Sequence, residues 1–426
     1  MLLFAILTNI ISDYQHPIYY MSIKADLKQV IYALSDALDL VGIDDVAHGK
    51  RVGIMAAECS KILGYTEEET NFVFDFGMLH DIGVSSTKTH KHLVEEFDWE
   101  GSQTHAESGY LLLANFAPLA RMALPIRYHH TRWDKLLTLD ITPELAQQAN
   151  LIFLVDRVDA LSAPFYVGNG AIFHKEEIRK KIIAQSGKYF APNLVEAFLE
   201  TSRTEAFWLL LEPRSIQLYL QDQMSRHHSY SASISELKQL AQIFSHIVDT
   251  KSPFTAEHSL GVSKLSRFLA EKMSLSPEIC DQIEIAGLLH DLGKLRIPDE
   301  VLDKPAKLDV NERLVINTHT FETFQILNSI TDFEELARWA AYHHEEPDGS
   351  GYPFHLKDHE MPFEAKIIRV ADIFQALAQN RPYRKGLSTS EVIAVLASFA
   401  SDKRIDAEIF ATVERWQDDA MRAAVS

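Results

Sequence analysis

Residues 288–298 read LLHDLGKLRIP. An apolar run ends in a histidine, an aspartate follows at once, and Gly293 and Lys294 come next. Ile283, Ala286, Gly287 and His290 fall at i, i+3, i+4 and i+7. That spacing predicts a helix with His290 at the end of its buried face and Asp291 where the helix stops. For a lone HD pair, a satisfied core histidine is the ordinary reading. A buried imidazole beside a carboxylate is costly, however, unless the two are paired or hold a metal.

The surroundings favour the metal. His258 precedes His290 by 32 residues, and His319 follows it by 29. His343 and His344 are adjacent, and Asp372 follows His344 by 28. Each lies in a stretch of helical spacing: THTFETFQIL for His319, the run from Leu336 for His343, IIRVADIFQAL for Asp372. Five imidazoles and two carboxylates on converging helices form an N/O ligand set suited to Fe, Mn or Zn, and a set this large suggests two ions.

HDLGK, the run HHEEPDGSGYP (His343–Pro353), RVADIFQAL and RPYRKG (Arg381–Gly386) together resemble the HD-GYP family, over about residues 233–400 and in the family's order. Its members are metal-dependent phosphodiesterases that open bacterial cyclic dinucleotides. The resemblance implies two divalent ions, Fe or Mn first, with Zn, Ni and Mg as alternatives. Asp291 would bridge them, with His258, His290 and Asp372 on one ion and His319, His343 and His344 on the other. Two metals so held can lower the pKa of a shared water and clamp phosphoryl oxygens. Asp291 and Lys294 are the catalytic candidates. Lys294 is placed to stabilise charge on the transferring phosphate; a solvated helix-end lysine is the plain alternative.

The run Asp348–Pro353 reads as a turn, with glycines for positive φ and close backbone approach and Pro353 to stiffen the exit. Tyr352 is a candidate for stacking on substrate, a structural tyrosine being equally compatible. Arg381 and Arg384 suit the second phosphate or a guanine edge, or else a surface salt bridge. In the family this loop is associated with partner recognition, so a GGDEF-type signalling protein is an expected partner. Some members place a third metal on a glutamate four residues before the first histidine. Phe254 stands there, and Glu257, next to His258, is expected to point elsewhere on the helix, so the site is expected to be binuclear.

The first half repeats the second. In VFDFGMLHDIG (Val73–Gly83), Val73, Phe76, Gly77 and His80 take the offsets of Ile283, Ala286, Gly287 and His290. His48 precedes His80 by 32 residues, His105 follows it by 25, and His129–His130 form a second pair. Asp156 in FLVDRVDAL answers Asp372. His48, His80, Asp81, His105, His129, His130 and Asp156 thus make a second candidate metal site. Val84 replaces Lys294, and neither the GYP loop nor RPYRK has a counterpart. The expected fold is all-α: two tandem HD-superfamily bundles, an HD-like domain over 22–212 and an HD-GYP domain over 233–426, joined by a partly helical connector over 213–232. YVGNGAIF (Tyr166–Phe173) reads as a loop. An HD-like half before an HD-GYP half resembles the Vibrio-type phosphodiesterases of 3′,3′-cyclic GMP-AMP.

Composition sets the outer limits. The 426 residues, 46% hydrophobic and 24% charged, suit a globular protein of two or three domains. A formal net charge of −19 argues against binding nucleic-acid polymers through the surface. Cys59 and Cys280 lie far apart in apolar patterns, as in a reducing compartment, and a cytoplasmic location is expected. No stretch is long enough to span a membrane. Met1–Ile11 is apolar but lacks a basic n-region and a cleavage site, and Met21 would serve equally well as the first residue. An oligomer is compatible with all of this.

The function expected is hydrolysis of 3′,3′-cyclic GMP-AMP, cyclic di-GMP or both to linear dinucleotides. The alternatives are a metal-bearing sensor that binds the ligand without turnover and a general HD-superfamily phosphomonoesterase. For the first half, removal of the product's terminal phosphate competes with a regulatory or packing role. The second is slightly preferred, since no phosphate-binding lysine follows His80–Asp81.

Overall fold

The structure, a computed structural model, describes residues 25–42, 47–95, 101–166, 170–226, 230–252, 257–380 and 385–425. The fold is all-α. Among the described residues no strand forms, and only isolated bridges such as Asp26–Ser231 occur. In the first half the site is built from α1 (Leu27–Asp39), α2 (His48–Ile62), α3 (Glu67–Leu79), α4 (Thr87–Glu95), α5 (Ser102–Leu113), α6 (Ala120–Tyr128) and α7 (Pro143–Ser162). The connector contributes α8 (Pro213–Arg226). The second half follows with α9 (Ile234–Lys251), α10 (His258–Lys272), α11 (Pro277–Leu289), α12 (Val310–Leu327), α13 (Glu334–Ala341), α14 (Phe363–Ala378) and a C-terminal α15 (Gln417–Val425).

Local signals start and stop the two helices that carry the HD pairs. Thr66 and Glu69 form a reciprocal capping box at α3, and Ser276 caps α11 ahead of Pro277. Each helix ends on its histidine, His80 or His290, as the apolar spacing predicts. The aspartate then leads into a tighter turn, a 3-10 segment over Leu292–Arg296 in the second half. A glycine two residues further on lets that turn lie against the next ligand helix. A Cβ on Gly83 would stand 2.0 Å from His105 O, and one on Gly293 2.0 Å from His319 O. No side chain fits there, so the glycine of HDxG fixes how close the ligands come.

The connector helix α8 packs on the first half: the Tyr219 ring lies 5.7 Å from that of Phe74, and its hydroxyl donates to Glu58 at 3.2 Å. His227 and His228 lie outside the described residues. Of the expected loop Tyr166–Phe173, residues 167–169 lie outside them too, and Gly170–His174 forms a 3-10 turn. The halves meet in two places. Helix α1 is buried on nearly every side, and its Val30 and Leu34 line one apolar gap with Leu237, Leu240, Ile285 and Leu327 of the second half. Elsewhere Asp299 reaches across to the start of α4, accepting from the Ser86 hydroxyl at 2.7 Å and from the backbone N–H of Thr87 and Lys88 at 3.2 Å each. No described helix is long and apolar enough to cross a membrane.

Candidate metal centres

In the second half the ligand candidates converge. His258 opens α10, His290 and Asp291 end α11, His319 lies in α12 and Asp372 in α14. His343 and His344 sit in a 3-10 turn just beyond α13, not inside the helix. His258, His290 and Asp372 have ligand atoms within 4.8 Å of one another, as do His319, His343 and His344. Asp291 stands between the two sets and divides its oxygens. Oδ2 lies 3.2 Å from His290 Nε2 and 3.6 Å from His258 Nε2; Oδ1 lies 3.4 Å from His319 Nε2 and 3.7 Å from His343 Nε2.

The backbone fixes which ring nitrogen faces inward. Nδ1 of His290, His319 and His343 lies 2.8, 2.6 and 2.7 Å from the carbonyls of Gly287, Ile316 and Ala340, so Nε2 points to the centre. Burial pushes His319 down to about 4 and His344 to about 3, which keeps these imidazoles in the neutral, ligating form. Burial opposes charge on Asp291, but His290 and Lys294 outweigh it and hold its carboxyl well below the usual range. Lys294 Nζ is hydrogen-bonded to Asp291 Oδ2. His290 Nε2 and Asp291 Oδ1 are buried without a hydrogen-bond partner, as metal-facing atoms would be. The set therefore fits two divalent ions.

The loop after the histidine pair is pinned beside the centre. Glu345, fully buried, accepts from the N–H of Phe354 at 2.6 Å and of Leu356 at 2.9 Å. Glu346 pairs with Arg369 at 2.9 Å and Arg404 at 2.8 Å, and Arg369 also donates to His343 O at 3.2 Å. The two loop glycines have separate tasks. Gly349 has φ +82°, whereas a Cβ on Gly351 would stand 2.2 Å from Glu346 N. Tyr352 places its ring 4.9 Å from that of His344, on the rim of the site. Glu257 is not on the helix face expected for it. It precedes α10 in the left-handed region at φ +66°, because α10 begins only at His258. Arg381, Arg384 and Phe254 lie outside the described residues.

The first half repeats this arrangement. Asp81, His105, His129 and His130 form one close group, and His48, His80 and Asp156 the other. Asp81 divides its oxygens in the same sense: Oδ2 faces His80 at 3.6 Å and His48 at 3.8 Å, Oδ1 faces His105 at 3.3 Å and His129 at 3.8 Å. His80 Nε2, Asp81 Oδ1 and His130 Nε2 are buried without partners, so this set also fits metal. Val84 is buried where Lys294 stands in the second half. Arg157 binds Asp156 at 2.9 Å, an ion pair that Ile373 cannot make.

Two supports escaped the sequence reading. His258 Nδ1 lies 2.5 Å from Gln375 Oε1, and His48 Nδ1 lies 2.7 Å from Asp159 Oδ2. Both partners stand three residues after a ligand aspartate, and that offset was the available signal. A third residue, His90 on α4, faces the first centre with its ring 6.1 Å from that of His48.

Helical bundles that carry an HD pair and five imidazoles twice over define an HD-superfamily metal hydrolase. Two family models, each described as an HD domain, match residues 46–163 and 242–409. The chain is 35% identical over 396 residues to 3′3′-cGAMP-specific phosphodiesterase 1 of Vibrio cholerae, covering 92% of each chain. A cyclic di-GMP phosphodiesterase response regulator of Xanthomonas campestris is 41% identical over 137 residues, 32% of this chain and 36% of that one. A crystal structure of a cyclic GMP-AMP specific phosphodiesterase of V. cholerae superposes with a TM-score of 0.63 at 24% identity, covering 93% of this chain and 98% of that one. The chain belongs to the HD-domain cyclic-dinucleotide phosphodiesterases.

Proposed function

We propose that the HD-GYP domain, residues 233–426, opens 3′,3′-cyclic GMP-AMP to the linear dinucleotide, with cyclic di-GMP as the second candidate substrate. The observation that carries this is Asp291, one carboxylate with an oxygen toward each ligand set and Lys294 on its outer side. The base preference is supported by the relative named for 3′3′-cGAMP that matches along 92% of both chains. Fe or Mn, held by His258, His290, Asp372, His319, His343, His344 and Asp291, would supply the Lewis acidity for phosphodiester hydrolysis. The chain's own groups do the rest. Lys294 meets the charge that develops on the phosphoryl oxygens. Tyr352 walls the rim beside His344, and the Glu345 and Glu346 contacts keep that loop in register. Arg381 and Arg384 are assigned to the second phosphate or a base edge.

The HD-like domain, residues 22–212, is assigned a second metal centre that removes the terminal 5′-phosphate left by ring opening. The division of Asp81's oxygens, matching that of Asp291, favours this over a packing copy. Residues 213–232 are assigned as the connector, and the GYP loop as the surface for a GGDEF-type partner. Free, buried Cys59 and Cys280 support a reducing, cytoplasmic setting. The test is chromatography of both cyclic dinucleotides after incubation with the Mn²⁺- or Fe²⁺-loaded chain. Linear dinucleotide should form first and its dephosphorylated product second. In a folded His80→Ala/Asp81→Ala variant the phosphorylated linear product should accumulate. No ring opening with either metal would overturn the assignment.

A further inference from the structure

The first centre lacks the lysine of its counterpart, and a different group arrives at its mouth. Helix α4 crosses the opening. Its His90 lines a narrow gap together with His48, His80, Asp81 and Val84, above the ligand atoms. The His90 ring stands nearly perpendicular to that of His48, at 87°. It is seated against the end of the turn after α1, where a Cβ on Gly42 would come within 3.0 Å of His90 Cε1.

The second half holds the start of this helix. Asp299 accepts from the Ser86 hydroxyl and from the N–H groups of Thr87 and Lys88, and its own N–H donates to Thr87 Oγ1 at 3.3 Å. Lys251 bonds Asp299 at 3.0 Å and Ser85 O at 3.2 Å, tying the same corner from α9. Asp299 lies five residues beyond Lys294, so one short segment runs from the second centre to the cap of the helix that covers the first.

We propose that His90 is the phosphate-binding group of the first centre, and that α4 is a lid whose N-terminal end is held in place by Asp299 of the other half. The proposal rests on the phosphomonoester reading of the HD-like domain. An imidazole carries an N–H donor in either tautomer, so His90 can bond a terminal phosphate oxygen without changing its protonation. In the second half the donor is built into the turn that carries the ligands. In the first it comes with a separate helix, so access to phosphate is tied to the contact between the halves.

Inorganic phosphate titrated calorimetrically into the metal-loaded full chain tests this, in an Asp291→Ala background that removes the second centre. His90→Ala should weaken phosphate binding about tenfold, with the metal content of its parent, and His90→Asn, which keeps an N–H donor, should recover most of the loss. Asp299→Ala should speed amide hydrogen exchange over residues 87–93 and weaken phosphate in the same direction. Phosphate affinity within about twofold of the parent in His90→Ala, loss of metal from that variant, or no phosphate binding by the parent overturns the proposal. Unchanged exchange in Asp299→Ala overturns its lid. If the parent binds phosphate through His90 yet never releases it from a linear dinucleotide, the phosphomonoesterase reading fails while the assignment of His90 stands.

Discussion

In the second half the bridging aspartate, Asp291, touches a lysine. In the first, Asp81 has Val84 in the corresponding place, and a histidine from another helix covers the opening. Behind the first histidine of each set the contrast is as sharp. His258 leans on a neutral amide, Gln375, whereas His48 leans on a carboxylate, Asp159, which Arg51 grips at 2.6 and 2.9 Å. The residue matching Arg51 is Gly261, where a Cβ would stand 2.4 Å from Ala424 O because the C-terminal helix α15 lies over it. An arginine thus occupies in one half the space that a helix occupies in the other. The seven ligand positions are retained together because each needs the others to offset its burial. The groups one layer out are free to diverge, and they decide which phosphate ester the site can hold.

Exchanging the two aspartates for alanine breaks this comparison most severely. Asp291→Ala should abolish ring opening and lower bound metal, while Asp81→Ala should lower bound metal with ring opening retained, as read by turnover and metal analysis on one preparation. Equal loss of ring opening in both would mean that the halves do not work as separate centres. Lys294→Ala should keep its metal and lose on the order of 10²–10³ in kcat; metal loss as large as that of Asp291→Ala would recast Lys294 as structural.

The supporting residues give the next effect down. Gln375→Ala and Asp159→Ala should each weaken metal binding roughly 10- to 100-fold. Only Asp159→Ala should also cost about 3–5 kcal/mol of fold stability, since it takes the carboxylate from buried Arg51. Denaturant midpoints that fall equally in the two variants would remove the distinction.

The smallest effect concerns the contact between the halves. Burial raises the Asp299 carboxyl, but the Ser86 hydroxyl and Lys251 outweigh it and leave it below its ordinary value. A depressed carboxyl stabilises the fold above its unfolded pKa of about 3.9, and that stability is lost as pH falls through the lower, folded value. The Tm difference between the parent and Asp299→Asn should therefore be full at neutral pH and close below about pH 4. A gap that persists in acid would assign the contact to shape instead of charge.

The ligand sets and the duplication were legible in the sequence because each ligand ends, begins or follows a strongly patterned helix, and the HD spacing recurs unchanged at 32 residues. Glu345 and Glu346 were visible inside HHEEPDGSGYP, but nothing local distinguishes a carboxylate that pins a loop from one that faces solvent. His90 and Asp299 were not legible at all. Their roles come from how helices far apart in the chain dock, and no periodicity records a contact such as that between Ser86 and Asp299.

Helix α1 has a consequence for how the chain is made. It is buried on nearly every side, and Val30 and Leu34 meet Ile285 and Leu327, which lie close to 300 residues later. At a synthesis rate of about 5–20 residues per second, the first helix to emerge waits roughly 15–60 s for the partners that cover this apolar flank. Throughout that interval the nascent first half carries an open hydrophobic surface, a natural binding place for a chaperone at the ribosome.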